Sequence, residues 1–122
     1  MSKNELKPTV VNLPELVQYA EKGIVSKTVF ESQGLKLVHF TFEKGQALSE
    51  HAAPFEAIIH VLEGKGTVRL GGVDYDASPG ALYVMPANLP HGLKAEERFV
   101  FLLTMVKSGV IRVPGECSSL KK

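Results

Sequence analysis

The fold is decided by the stretch Gly45-Gln-Ala-Leu-Ser-Glu-His51-Ala-Ala-Pro-Phe-Glu56-Ala-Ile-Ile-His60-Val-Leu-Glu-Gly64. It begins on a glycine, presents His51, continues through an apolar run and closes on a second glycine. A second segment, Gly80 to His91, also begins on a glycine and delivers a histidine after an apolar run. Two histidines delivered from strand ends in this way predict the two halves of one ligand or metal site.

Short apolar runs separated by glycine and proline surround these two segments. The runs are rich in β-branched and aromatic residues, which favour strands. They predict strands over residues 25–30, 35–42, 57–62, 67–70, 73–75, 81–85, 99–106 and 110–113. Residues 63–66 predict a turn, and Gly71-Gly72 predicts a tight hairpin. Many short strands with this spacing indicate an all-β antiparallel sandwich or barrel.

One short helix is predicted before the first strand, over about residues 12–22. Asn12 and Glu15 have capping-box spacing, Pro14 lies in the first turn, and Gly23 follows the last turn. The barrel then occupies about residues 25–113, and residues 114–122 form a polar tail. We therefore expect residues 1–122 to form a single domain, the size at which one core is favoured.

The composition argues against several classes of partner. The net charge of +1 on 122 residues gives no basis for binding nucleic acid or an anionic membrane. No apolar run approaches the roughly 20 residues that span a bilayer, and residues 1–8 contain no apolar core of a secretory signal. The one cysteine, Cys117, has no partner for an internal disulfide. These features predict a cytoplasmic protein.

The two glycine-led segments resemble the two motifs of a small, single-domain cupin of the conserved-barrel type. The first motif of that family contains a glycine, a His-x-His pair, a glutamate and a closing glycine. The second contains a glycine, Pro-x-Gly, a histidine and an asparagine. The matching positions here are Gly45, His51, Gly64, Gly80, Pro86 and His91. The resemblance covers roughly residues 35–106 and implies a double-stranded β-helix, also called a jelly-roll barrel.

The resemblance also implies a divalent metal, such as Zn, Ni, Mn or Fe, held by three imidazoles and a carboxylate inside the barrel. This chain departs from that pattern at two donor positions. Ala53 replaces the second histidine, and Ala57 replaces the glutamate. Asn88 stands where the family has the glycine of its second motif, and it tolerates a left-handed turn. The site is therefore predicted to be partly degraded.

His51 and His91 are the predicted metal ligands, and Glu56 is a candidate third donor. Glu56 lies one position from the motif glutamate, but Pro54 interrupts the strand before it, so regular alternation does not settle where it points. His60 is a further candidate. A lone histidine on an apolar strand is more often a hydrogen-bonded core or interface residue, and that interpretation is favoured for both His60 and His39.

Three functions remain open for such a barrel. It is a metal-binding protein, and if it is an enzyme the resemblance implies a metal-dependent dioxygenase or isomerase with catalytic residues unknown. Alternatively, it is a metal-free sensor or accessory barrel that binds a small molecule in the same pocket, or a structural dimer with an unused pocket. The candidate apolar walls of the pocket are Phe40, Phe42, Phe55 and Met85.

The strands over residues 57–62 and 99–106 are apolar on both faces. One face of each strand has to contact the interior of the barrel. In a small barrel the other face is often covered by a second subunit. The sequence therefore predicts a homodimer.

Overall fold

The computed structural model describes residues 7–107 and consists mainly of antiparallel β-strands. A short 3-10 turn at Leu13–Leu16 precedes the strands. The strands are β1 (Ile24–Glu31), β2 (Leu35–Phe42), β3 (Ala47–His51), β4 (Glu56–Leu70), β5 (Val73–Ala77), β6 (Leu82–Met85) and β7 (His91–Val106). The predicted all-β barrel is confirmed, whereas the predicted strand at 110–113 and the tail at 114–122 lie outside the described residues.

Two long strands, β4 and β7, pair along their whole length and form the central ribbon of the barrel. One half of this ribbon is flanked by β2 and β6, with β1 beyond β2. The other half is flanked by β3 and β5. Each long strand thus contributes to both halves, which enclose one core between them, as in a jelly roll.

The interior of the barrel is filled mainly by aromatic and aliphatic side chains. Phe42, Phe99 and Phe101 are almost fully buried, and their ring centroids lie 5.4 to 6.4 Å apart. Phe40 stacks on Phe101 at a centroid distance of 5.0 Å. These contacts add favourable quadrupole geometry to the free energy of burial.

The predicted turn at residues 63–66 is wrong, because β4 continues through it from Glu56 to Leu70. The pairing with β7 shifts register between Val61 and Glu63 and again between Gly64 and Gly66. A Cβ at Gly64 would collide with the carbonyl oxygen of Arg98, and a Cβ at Gly66 would lie 2.6 Å from that of Lys94. The two glycines therefore permit close approach of β7 at bulges, a role that glycine also has within strands.

The predicted helix over residues 12–22 is present only as the 3-10 turn at Leu13–Leu16. Val17 already has extended backbone angles, and the chain then runs across the sheet. There the Gln18 N–H donates to the Thr41 hydroxyl over 3.4 Å, and the Tyr19 ring lies 4.3 Å from the Arg98 guanidinium carbon. Residues 17–20 have no helical structure where they make these contacts, so tertiary context overrides the helix signals of the sequence here.

Strand β3 is absent from the predicted strands, and β7 begins at His91 rather than at residue 99. Most of β3 is exposed, so it lacks the apolar alternation by which a strand is recognised. In contrast, the hairpin at Gly71-Gly72 is confirmed: both glycines have positive φ, and Leu70 pairs with Val73. Within the described residues, no helix is long and apolar enough to span a membrane.

Candidate functional site

His51 and His91 meet at one end of the barrel. His51 is the last residue of β3 and His91 is the first residue of β7, and the two are directly opposite each other in the pairing. Their ring centroids are 4.4 Å apart, with the ring planes inclined at 59°. His51 is exposed and His91 is partly buried. The predicted convergence of the two motif histidines is therefore present in the structure.

Each of these imidazoles is oriented by a backbone carbonyl two residues earlier in the chain. The His51 Nδ1 lies 3.0 Å from the Ser49 oxygen, and the His91 Nδ1 lies 2.9 Å from the Leu89 oxygen. Because a carbonyl oxygen only accepts, Nδ1 carries the proton in both contacts. In the neutral ring Nε2 then holds a lone pair, which is the form that binds a metal.

The loops next to the two histidines are hydrogen-bonded to each other and to the neighbouring hairpin. The Asn88 N–H donates to the Ala53 carbonyl over 2.7 Å, and the Gly71 N–H donates to the Pro90 carbonyl over 2.8 Å. Asn88 has a φ of 68°, the left-handed conformation expected from the sequence. Pro90 restricts the backbone immediately before His91. Both imidazoles therefore project from strand ends whose adjoining loops are held in place.

A cavity of about 30 Å³ lies beneath the histidine pair. Its volume suits one ion or one to two water molecules. Apart from His51 and His91, the lining is apolar, and consists of Phe40, Leu48, Ile59, Met85, Leu93, Phe101 and Leu103. Of the predicted walls, Phe40 and Met85 line this cavity. Phe42 lies deeper in the core, and Phe55 is 37% exposed outside it.

Glu56 and His60 lie on the other side of β4. The inward positions of this strand are Ala57, Ile59 and Val61, which belong to the buried core. Because side chains alternate along a strand, Glu56 and His60 share the outer face with Ile58. The structure thus separates these two candidate donors from the histidine pair.

His39 also lies on the outer face of the sheet, in the middle of β2. Its side chain is 1% exposed, so the prediction of burial is confirmed. Neither ring nitrogen has a hydrogen-bond partner among the described residues, which corrects the expectation of a hydrogen-bonded histidine. It borders a second cavity of about 270 Å³ beneath the 3-10 turn, with Glu63 at the edge. Burial lowers the pKa of His39, and Lys27 adds to this effect while Glu63 opposes it.

A family model described as a cupin domain matches residues 38–106, more than half of the chain. The chain belongs to the cupin family. The match includes both histidines of the pair and all of β4, β5, β6 and β7. No curated protein sequence matches this cupin.

Solved structures with the same fold are numerous. A conserved protein of unknown function from Streptococcus pyogenes is 31% identical, with a TM-score of 0.76 over 90% of this cupin and 98% of that chain. An RmlC-like cupin protein from Desulfovibrio desulfuricans is 35% identical, with a TM-score of 0.76 over 83% and 98% of the two chains. A cupin 2 conserved barrel domain protein from Leptotrichia buccalis is 40% identical, with a TM-score of 0.75 over 80% of this cupin and 47% of that chain.

The four-donor metal set implied by the family resemblance does not fit this cupin. The position of the carboxylate is occupied by Ala57, whose small side chain is buried on the inner face of β4. The position of the second histidine is occupied by Ala53, which contributes only its backbone carbonyl to the contact with Asn88. Across residues 7–107, no three or more histidine, cysteine, aspartate or glutamate side chains are grouped to hold a metal ion.

The sequence did not reveal the two carbonyls that orient the imidazoles. Ser49 and Leu89 contribute backbone atoms, and a backbone acceptor leaves no signature in the residue type. The cavity residues Leu48, Ile59 and Leu103 were missed for a related reason. Their apolar side chains are equally compatible with an ordinary core position.

Proposed function

We propose that this cupin is a metal-binding barrel in which His51 and His91 form a two-imidazole site at the barrel mouth. The observation that carries the proposal is that both rings make the same contact: each Nδ1 is held by the carbonyl two residues earlier in the chain. A carbonyl bonded to Nδ1 is a common support for a histidine that binds metal through Nε2.

Such a site binds a divalent ion such as Zn, Ni, Mn or Fe more weakly than a complete four-donor site. With only His51 and His91 as donors, the remaining coordination positions are available to water or to a small ligand. Exposure of His51 leaves a route from solvent to the pair. These features support an exchangeable ion. A dioxygenase or isomerase activity remains a prediction based on the family resemblance, with no catalytic residue assigned.

The proposal is tested by thermal unfolding of the protein with added Zn²⁺, Ni²⁺ or Mn²⁺. A ligand that binds only the folded state at a hundred times its Kd stabilises it by about 2.7 kcal/mol. For a chain of this size that corresponds to a rise in Tm of roughly 10 °C. We expect His51→Ala and His91→Ala each to abolish most of this rise.

His60→Ala is the matched control, because His60 is also partly exposed but lies on the outer face of β4. The control variant should retain the full metal-dependent rise in Tm. An equal rise in His51→Ala and in the parent protein would place the metal elsewhere and refute the proposal. Binding of organic ligands to metal-free protein, without any response to metals, would instead favour the sensor or accessory function.

We also propose that the protein is a homodimer formed through the outer face of β4 and β6. Leu82 is 61% exposed and Val84 is 39% exposed, and these residues pair with His60 and Ile58 on the same face. Burial of these neighbouring apolar side chains against a second copy would remove them from water. Leu82→Asp should convert the dimer to a monomer in light scattering, whereas Val73→Asp at the distant hairpin should not. A parent protein that is monomeric at high concentration would refute this proposal.

A further inference from the structure

One side chain that lines the cavity beneath the histidine pair contains a heteroatom besides the two imidazoles. This side chain is the thioether of Met85, at the end of β6. Met85 is 1% exposed and lines the same cavity of about 30 Å³ as His51 and His91. A thioether is a soft, polarizable donor.

Met85 also lies next to the position that lacks the carboxylate. Ala57 and Met85 are directly opposite each other in the pairing of β4 with β6. Both side chains belong to the buried core, so they share the inner face. A methionine therefore adjoins the place where the family resemblance implies a glutamate.

The third side-chain donor at this cavity differs in kind from the carboxylate that the family resemblance implies. Two side chains provide imidazoles, one provides a thioether, and the rest of the lining is hydrocarbon. No side-chain oxygen is among the lining residues. Carboxylate and carbonyl ligands suit hard ions, whereas thioether ligands select Cu(I).

Taking the proposed two-imidazole site as its basis, we infer that His51, His91 and Met85 together form a site for a soft monovalent ion, Cu(I). The juxtaposition of two oriented imidazoles with a buried thioether on one ion-sized cavity carries this inference. It concerns binding alone and includes no electron transfer.

Charge favours the same ion. The cost of moving an ion from water to an apolar surrounding rises with the square of its charge, so a monovalent ion is the easier one to bury. The replacement of the motif glutamate by Ala57 leaves no carboxylate at that position to neutralise a second positive charge. The apolar lining is consequently better matched to Cu(I) than to a divalent ion.

The test measures Cu(I) affinity by competition with bicinchoninate, under nitrogen and with ascorbate as the reductant. All variants carry Cys117→Ser, because a free thiol also binds Cu(I). Met85→Leu should weaken Cu(I) binding by about 10–100-fold or more, since that range is typical even for loss of a group that only orients a donor. The same substitution should weaken Zn²⁺ binding much less than Cu(I) binding, because soft thioether ligands select Cu(I) whereas imidazole also suits Zn²⁺.

Met105→Leu is the matched control. Met105 pairs with Ala57 from the opposite side, on β7, and packs against the core without lining the cavity. A change from methionine to leucine nearly conserves volume, so both variants should fold. Cu(I) affinity should therefore remain at the parent value in Met105→Leu.

X-ray absorption of the Cu(I)-loaded Cys117→Ser protein gives an independent measurement. It should show both nitrogen and sulfur neighbours of copper, with the sulfur contribution lost in Met85→Leu. Equal Cu(I) affinity in Met85→Leu and Met105→Leu, or a spectrum without sulfur, would overturn the inference but leave the two-imidazole site standing. If His51→Ala leaves the binding of every tested metal unchanged, the proposed function itself would instead be overturned.

Discussion

The barrel mouth and the outer face of the sheet each contain two histidines, and His39 on the outer face contrasts most with the pair at the mouth. At the mouth, His51 and His91 are near each other, and each donates to a carbonyl. On the outer face, His39 and His60 lie on either side of Leu102, which pairs with both of them. There His39 is buried with neither ring nitrogen bonded to a described residue.

The difference follows from where each histidine stands in its strand. His51 and His91 are terminal residues of β3 and β7, where the Ser49 carbonyl at a pairing irregularity of β3 and the Leu89 carbonyl before β7 accept from the side chains. His39 lies in the middle of β2, between β1 and β7, and the backbone groups around it are used in strand pairing. The strand-end histidines are thus oriented by carbonyls, whereas His39 in a strand interior is buried without a hydrogen-bond partner among residues 7–107.

Strand β4 contributes to both the barrel mouth and the outer face of the sheet. A change at its bulge should therefore disturb both regions and have the largest effect on the free energy of unfolding. Gly64 has a φ of 88°, and a Cβ there would meet the Arg98 carbonyl. We expect Gly64→Ala to lower the free energy of unfolding by about 2–4 kcal/mol, from overpacking and from the left-handed backbone. Urea denaturation of the variant and its parent measures this loss.

Gly72→Ala separates the two causes, because Gly72 has nearly the same φ, 87°, with nothing within 4 Å of its added Cβ. Its cost should be about 1 kcal/mol, the left-handed penalty alone. Equal losses in Gly64→Ala and Gly72→Ala would show that the close approach of β7 contributes nothing to the requirement for glycine.

A smaller effect is expected from removing the buried imidazole on the outer face. His39→Leu replaces a buried polar group that has no hydrogen-bond partner among the described residues with an apolar one. It should raise the free energy of unfolding by about 1–2 kcal/mol, the cost of an unsatisfied buried group. His60→Leu on the same face serves as the control and should change stability less. A loss of stability in His39→Leu would indicate that the imidazole has a stabilising contact.

His39 should also make stability depend on pH. Burial lowers its pKa in the folded protein, whereas the unfolded chain has the ordinary value of about 6.5. Between these two values the unfolded state binds more protons, so stability increases with pH through this window. Stability should therefore fall as the pH drops below about 6.5 and level off below the folded pKa. Subtracting the pH profile of His39→Leu from that of the parent isolates this contribution; a flat difference would contradict it.

At the mouth, an effect of similar size to that of His39→Leu is expected from restoring a donor to the pair. Ala53→His places a third imidazole at the motif position and should tighten Ni²⁺ or Zn²⁺ binding by at least about tenfold, or roughly 1.4 kcal/mol. Ala52→His, one residue earlier in the same loop, is the control. Isothermal titration calorimetry compares the two, and equal affinities would indicate that residue 53 does not face His51 and His91.

Motif spacing was sufficient to predict the barrel and the meeting of His51 with His91. It was insufficient for the course of β4, because Gly64 and Gly66 look like turn residues until the close approach of β7 is known. The same holds for residues 17–22, whose helix signals were overridden by contacts with the sheet. Local signals failed where a distant strand determined the backbone.

The sequence by itself determined the fold family, the hairpin at Gly71-Gly72 and the loss of two expected donors at Ala53 and Ala57. Only the tertiary structure decided which remaining side chains share the site. It separates Glu56 from the histidine pair and brings Met85 to the same cavity. The physical reason is that the sequence specifies which donor each residue offers. Which donors come together depends on side-chain alternation along each strand and on pairing between strands remote in sequence.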